Sequence, residues 1–198
     1  MKKRIAFFDF DGTITTKDTL LEFIKFSRGR SRFYLGFLLY SPYLVAYKLK
    51  LIPNQLAKEK VLRFFFSGMP VDTFRGLCED FSVKALPALI RPKAVEEIRR
   101  LQRDGATVVI VSASPENWIS YWASSLGLQL LGSRLEVKDG RLTGKILGSN
   151  CHGNEKVRRI EEKYDLSQYG EIYAYGDTSG DKPMLRLASS SFFKPFRS

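Results

Sequence analysis

Short apolar runs alternating with amphipathic stretches are what most constrain this chain, because that rhythm belongs to a parallel sheet covered by helices. The runs are Arg4–Phe8, Thr107–Val111, Leu128–Leu131, Ile172–Tyr175 and Ser190–Phe193, each expected to form a strand. Between them, residues 92–103 carry Ala94, Val95, Ile98 and Leu101 at helical spacing, and Gly105 follows the basic last turn as a stop signal. Residues 115–126 and 155–164 read as two further helices. Residues 135–146 place Asp139-Gly140 between two short alternating runs, the signature of a β-hairpin. The fold class is therefore α/β.

The first run is not followed by a simple crossover. The stretch from Asp18 to Arg91 is far longer than the ~10–12 residues a βαβ connection needs. Its own pattern is helical. Thr19 and Glu22 are spaced as a capping box ahead of Leu20, Leu21, Phe23, Ile24 and Phe26, and helices are expected over residues 33–50, 54–66 and 71–82. Residues 17–85 are thus expected as a helical cap over the open end of the sheet, with 1–16 and 86–198 forming the core. A chain of 198 residues is long enough for both.

Formal net charge is +11, which favours anionic partners such as phosphorylated metabolites or acidic lipid surfaces. The cations are dispersed, and no zinc-finger spacing or aromatic RNA-binding strand is present, so no nucleic acid partner is expected. Cys78 and Cys151 make neither a CxxC pair nor a metal-ligand spacing; buried, idle thiols in a cytoplasmic protein are expected. The apolar run after Lys2-Lys3-Arg4 stops at Asp9, short of the ~7–15 residues of a signal core. No secretion signal is expected.

Three polar clusters directly follow apolar runs: Asp9 and Asp11 after the first, Ser112 after the second, Asp177 and Asp181 after the fourth. In a parallel sheet the carboxyl ends of all strands share one edge, where open α/β folds bind ligands. Lys156, at the start of a basic helix, can reach that edge. Clustered carboxylates repel one another unless a cation joins them, and an all-oxygen set favours Mg²⁺. Asp9 and Asp11, two apart on an extended chain, face the same side. One can attack phosphorus while the other handles the proton of the leaving oxygen. Gly12 allows a sharp turn that leaves backbone N–H groups facing an anion.

Asp9-Phe10-Asp11-Gly12-Thr13 resembles DxDGT, the first motif of the haloacid dehalogenase superfamily. Ser112, Lys156 and Gly176-Asp177 with Asp181 resemble its second, third and fourth motifs, in order and at typical separations. The resemblance implies a Rossmann-like three-layer sandwich and a Mg²⁺-dependent phosphatase working through an aspartyl-phosphate. It implies that Asp9 is the nucleophile and a metal ligand, and that Asp11 is the general acid/base and lends its backbone carbonyl to the metal. Ser112 and Lys156 would hold the phosphoryl group, with Gly12 and Ala113 as further phosphate-binding positions. Asp177 would ligate the metal, and Asp181 would ligate it or orient Lys156. The insertion is similar to the cap of the phosphoserine-phosphatase-like subfamily, IB. The aromatic-rich cap and the Ser112-Ala113-Ser114-Pro115 segment are similar to a branch that includes a phosphatidylglycerophosphate phosphatase.

Four positions depart from the phosphoserine phosphatase pattern. Gly12 stands in place of Ser, Asp18 of Glu, Ala113-Ser114 of Gly-Gly, and Gly180 of Asn. They argue against phosphoserine as substrate and leave a lipid phosphate or another soluble metabolite, by hydrolysis or by phosphoryl transfer to another acceptor. A calcium loop is excluded because Gly12 falls at position four instead of six, and Gly148–Gly153 is no P-loop because Asn154 stands where Lys is required. His152, the single histidine, is expected at a loop or helix entry. Residues 33–47 are uncharged and interrupted by Pro42, too short for a membrane span. They are read first as internal packing of the cap. Flanked by Arg28, Arg30, Arg32, Lys48 and Lys50, they would also suit peripheral contact with an anionic membrane at its inner face.

Overall fold

The computed structural model describes residues 3–49 and 51–197. All five expected strands form: β1 (Lys3–Phe8), β2 (Ala106–Pro115), β3 (Gln129–Ser133), β6 (Tyr169–Gly176) and β7 (Ser190–Phe193). They pair in parallel in the order β3-β2-β1-β6-β7, so β1 and the start of the polar clusters lie at the centre. β1 shows why the runs lack polar alternation. Ile5 and Phe7 enter one core with Val109, Val111, Ile160 and Met184, while Ala6 and Phe8 enter another with Ile98, Ile110 and Trp118. Both faces are covered, as a Rossmann-like α/β sandwich requires.

Helices α1 (Thr19–Arg28), α2 (Arg30–Lys48), α3 (Asn54–Phe66) and α4 (Val71–Lys84) stand between β1 and α5 (Pro92–Arg103). The remaining helices are α6 (Glu116–Ser125), α7 (Asn154–Lys163) and the short α8 (Lys182–Leu185). The inserted helices pack through aromatic rings around Phe23, which meets Phe66, Phe74 and Phe81 and stacks on Trp118 of α6 at 4.8 Å. Phe23 and Trp118 are fully buried, and such pairs stabilise by about 1 kcal/mol beyond the area they bury.

The hairpin also forms, as β4 (Leu135–Lys138) and β5 (Arg141–Ile146), with Asp139 at φ 50° and Gly140 at φ 69° in a tight turn. It is a separate two-stranded sheet. It holds the insertion through backbone bonds from Gly68 N to Leu142 O, Leu142 N to Met69 O and Val71 N to Gly140 O. At Gly144, pressed against the backbone of Arg63, a side chain would overlap α3.

Three local expectations are corrected. Thr19 and Glu22 form no capping box: Asp18 is the N-cap and accepts from Leu21 N, while Glu22 pairs with Lys25. The hydroxyl of Thr19 is drawn away by the carboxylate of Asp11, a stronger acceptor. Pro42 does not interrupt its segment, because α2 runs through it. The carbonyl of Leu38, which would lose its helical donor, accepts from Ser41 Oγ at 2.8 Å. Packing accounts for only one face of α2: Phe33 is buried, but Tyr34, Leu35, Leu38, Leu39, Tyr43 and Val45 are exposed. The expected helical position of Lys50 lies outside the described residues. Cys78 and Cys151 are free and buried, and burial pushes both thiols up, Cys151 to about 11.

Candidate active site

β1 ends at Phe8, and a single irregular turn over Phe10–Ile14 follows. Gly12 sits there at φ 81°, where a Cβ would overlap the Asp177 carboxylate. Only glycine meets both demands, so the tight turn brings the first and last acidic clusters together. Asp9 is buried at this point. Its Oδ1 accepts from Lys156 Nζ at 2.6 Å and its Oδ2 from Thr13 Oγ1 at 3.1 Å. Lys156 is buried as well, and it also donates to Asp181 Oδ1 at 2.7 Å. Asp181 Oδ2 accepts from Asp177 N, Thr178 N and Thr178 Oγ1.

Burial drives the titration of this cluster. It lifts the Asp9 carboxyl to about 7 against the pull of Lys156. Burial also opposes ionisation of Asp181, but Lys156 and the Thr178 donors outweigh it and hold that carboxyl low. Burial would neutralise Lys156, yet Asp9 and Asp181 overcome it and keep the ammonium charged. The half-buried Asp177 is raised by burial and by Asp181.

Ligand atoms of Asp9, Asp177 and Asp181 all lie within 4.8 Å of one another. Three carboxylates at that spacing carry more negative charge than Lys156 and Arg197 balance, and an all-oxygen set of this size fits Mg²⁺. The Asp11 side chain is not part of this group. Its Oδ1 accepts from Thr19 N and Thr19 Oγ1, at 2.7 and 2.6 Å, and its Oδ2 from Ser114 Oγ at 2.6 Å. Trp118 Nε1 in turn donates to Thr19 Oγ1 at 3.0 Å. The acid next to Asp9 is thus oriented by α1 and by the end of β2.

Ser112 is buried where β2 bulges, with Ser114 N donating to its Oγ at 3.0 Å. A cavity of about 560 Å³ opens at this edge, lined by Asp9, Asp11, Gly12, Ala113, Lys156, Asp177 and Asp181 among others, while Ser112 is wholly buried and not on its wall. His152 is where a helix entry was expected, in the turn before α7 and on the cavity wall. It fills the space against Gly180 that any side chain there would need, and burial lowers its pKa.

Two cavity residues carry no signal in the sequence. Arg197 Nη2 donates to Asp177 Oδ2 at 2.6 Å, and Lys58 of α3 donates to the Ala113 carbonyl at 2.9 Å. Neither stands in a motif: Lys58 lies within α3 and Arg197 comes four residues after β7, and only the folded chain brings them in.

The sequence profile of haloacid dehalogenase-like hydrolases matches residues 6–186. The chain belongs to the haloacid dehalogenase family. Protein CicA of Caulobacter vibrioides is 38% identical to this hydrolase over 192 residues, 96% of the chain and 85% of the relative. A probable phosphatase of Mycobacterium tuberculosis is 29% identical over 201 residues, 97% and 69% of the respective lengths. A solved phosphoserine phosphatase, bearing an analogue of a phospho-aspartyl intermediate, shares the fold with a TM-score of 0.69 at 20% identity, covering 96% of this chain and 86% of its own. This haloacid dehalogenase protein is an enzyme, a phosphoric monoester hydrolase.

Proposed function

We propose that the enzyme hydrolyses a phosphate monoester in two steps through an aspartyl-phosphate on Asp9. The observation that carries this is the convergence of Asp9, Asp177 and Asp181 within 4.8 Å, with Lys156 bridging two of them. The Asp9 carboxylate attacks phosphorus, the bond from phosphorus to the leaving oxygen breaks, and Asp11 gives that oxygen its proton. Asp11 then takes a proton from water, whose oxygen attacks phosphorus and releases phosphate from Asp9. Lys156 and Ser112 hold the phosphoryl oxygens, and backbone N–H groups near Gly12 and Ala113 complete the cradle. Asp9 and Asp177 would hold Mg²⁺ with the Asp11 carbonyl, and the ion supplies neutralisation of charge on the transferring group. Asp181, whose Oδ1 accepts from Lys156 and whose Oδ2 accepts from the Asp177 and Thr178 N–H groups, orients Lys156 or joins Asp9 and Asp177 as a ligand. Residues 17–85 act as the cap that sits over this edge.

Asp177→Asn is expected to weaken Mg²⁺ about tenfold or more while leaving maximal turnover partly recoverable at high metal. Titration calorimetry with Mg²⁺ and p-nitrophenyl phosphate turnover against Mg²⁺ concentration check it. An unchanged metal requirement contradicts the ligand assignment.

For the substrate we favour a lipid phosphate met at an anionic membrane surface. The exposed face of α2 supports this reading: no acidic residue occurs between Glu22 and Glu59, against seven Lys and Arg. Arg30 and Arg32 are exposed beside the apolar face, whereas Arg28 is turned inward onto the Phe65 carbonyl. No helix among the described residues is long and apolar enough to cross a membrane, so the contact would be peripheral, at the inner face. Co-sedimentation with phosphatidylglycerol-containing vesicles at low salt is expected, with release at high salt and loss in Leu38→Asp/Leu39→Asp. Absence of binding at low salt removes this reading. A substrate screen with phosphatidylglycerophosphate, lysophosphatidate and phosphoserine, with and without detergent, separates lipid from soluble substrates. Turnover of soluble phosphates alone favours a metabolite phosphatase.

A further inference from the structure

Helix α3 is registered on the core by its first two turns. Asn54 Oδ1 accepts from Asn150 Nδ2 at 2.7 Å, Gln55 Oε1 accepts from Asn150 N at 3.1 Å, and Glu59 Oε1 accepts from Ile146 N at 3.1 Å. That clasp delivers Lys58 to the carboxyl end of β2. Its Nζ donates to the Ala113 carbonyl at 2.9 Å and lies 3.4 Å from Asn150 Oδ1. The β2–β3 register shifts between Ser112 and Pro115. Side chains hold the Ala113 carbonyl there: Lys58, and Ser133 Oγ at 2.7 Å.

The other half of that peptide unit is the Ser114 N–H, which donates to Ser112 Oγ. A serine hydroxyl has one proton and two lone pairs. With one lone pair taken by Ser114 N–H, the direction left for the proton depends on how that peptide plane is set. An ammonium on the carbonyl fixes the plane and polarises the N–H, strengthening the bond to Ser112. We propose that Lys58 is a positioning residue: carried by α3, it holds the Ala113–Ser114 peptide in the orientation that aims the Ser112 hydroxyl at the phosphoryl group. Docking of the inserted helices is thereby linked to alignment of a phosphoryl-oxygen donor. The inference rests on the phosphatase reading above and on the role given there to Ser112.

Lys58 also faces the cavity, near Asp11 and Asp18, where a residue that merely gripped the leaving group would sit. Kinetics separate the two roles. Lys58→Met keeps the apolar stem and removes the ammonium; its melting temperature and circular dichroism report folding. Turnover is measured on p-nitrophenyl phosphate and on lysophosphatidate, whose leaving groups share no chemistry. The positioning role predicts that kcat falls about tenfold on both, the effect of a phosphoryl-oxygen donor misaligned and not deleted, while KM moves by less than about twofold. Lys58→Gln, which keeps a donor for the carbonyl, is expected to recover part of kcat on both and serves as the folding-independent second variant. A rise in KM for lysophosphatidate alone, with p-nitrophenyl phosphate unaffected, overturns the inference in favour of leaving-group binding. Unchanged kinetics on both substrates overturn it outright. In either case Asp9→Asn, run alongside, reports separately: an inactive Asp9→Asn leaves the phosphatase reading intact when the Lys58 inference fails.

Discussion

Asp9→Asn is expected to abolish turnover, by about 10⁴-fold or more, and to leave the fold intact. An amide is no nucleophile toward phosphorus and brings no charge to a cation, so attack and metal affinity are lost together. Folding is spared for a physical reason. Asp9 is buried with its carboxyl raised to about 7, so the native state carries its charge at a cost. Because the folded value lies above the unfolded one, that cost is absent in acid, where both states are protonated, and grows as pH rises toward 7. Asparagine removes it, and its Oδ1 can still accept from Lys156. Metal-free Asp9→Asn should therefore melt no lower than the parent at pH 7.5. Retention of a tenth of the parental steady-state rate would place the nucleophile elsewhere.

Lys156→Met is expected to damage both stability and activity. Lys156 is buried with 2.6 Å and 2.7 Å bonds to Asp9 and Asp181, both buried themselves. Removing the ammonium leaves two carboxylates facing each other without a counter-charge, and breaking a buried pair in this way costs about 3–5 kcal/mol. For a chain of this length that is a fall of roughly 10 °C in melting temperature, read by calorimetry without metal. Added Mg²⁺ should restore part of the lost stability, since it neutralises the same carboxylates, but not the activity. Lys156→Met melting as the parent does, with or without metal, would contradict the electrostatic account.

Most of the sheet and of the acidic cluster could be read from sequence because each is written locally. A fully covered strand needs an unbroken apolar run, and Asp9, Ser112 and Asp177 follow such runs directly. What escaped reading depends on contacts between distant segments. Thr19 was spaced like a cap but serves Asp11, because a carboxylate eight residues away outcompetes the helix end. Pro42 looked like an interruption, yet a neighbouring hydroxyl satisfies the one carbonyl it frees. Lys58 and Arg197 stand in no motif, and only the packing of α3 and the path of the last residues bring them to the cavity. The face of α2 was ambiguous for a different reason. A uniformly apolar helix has no stripe to reveal which side is buried, and packing covers just one of them.

The covalent step is tested most directly by trapping it. Enzyme with Mg²⁺ is mixed with a substrate carrying labelled phosphate, quenched in acid within one turnover, reduced with borohydride and mapped by mass spectrometry. Label on the protein before reduction, and homoserine at position 9 after it, is the result this mechanism requires. Turnover without protein-bound label, or with reduction at any other carboxylate, would contradict it.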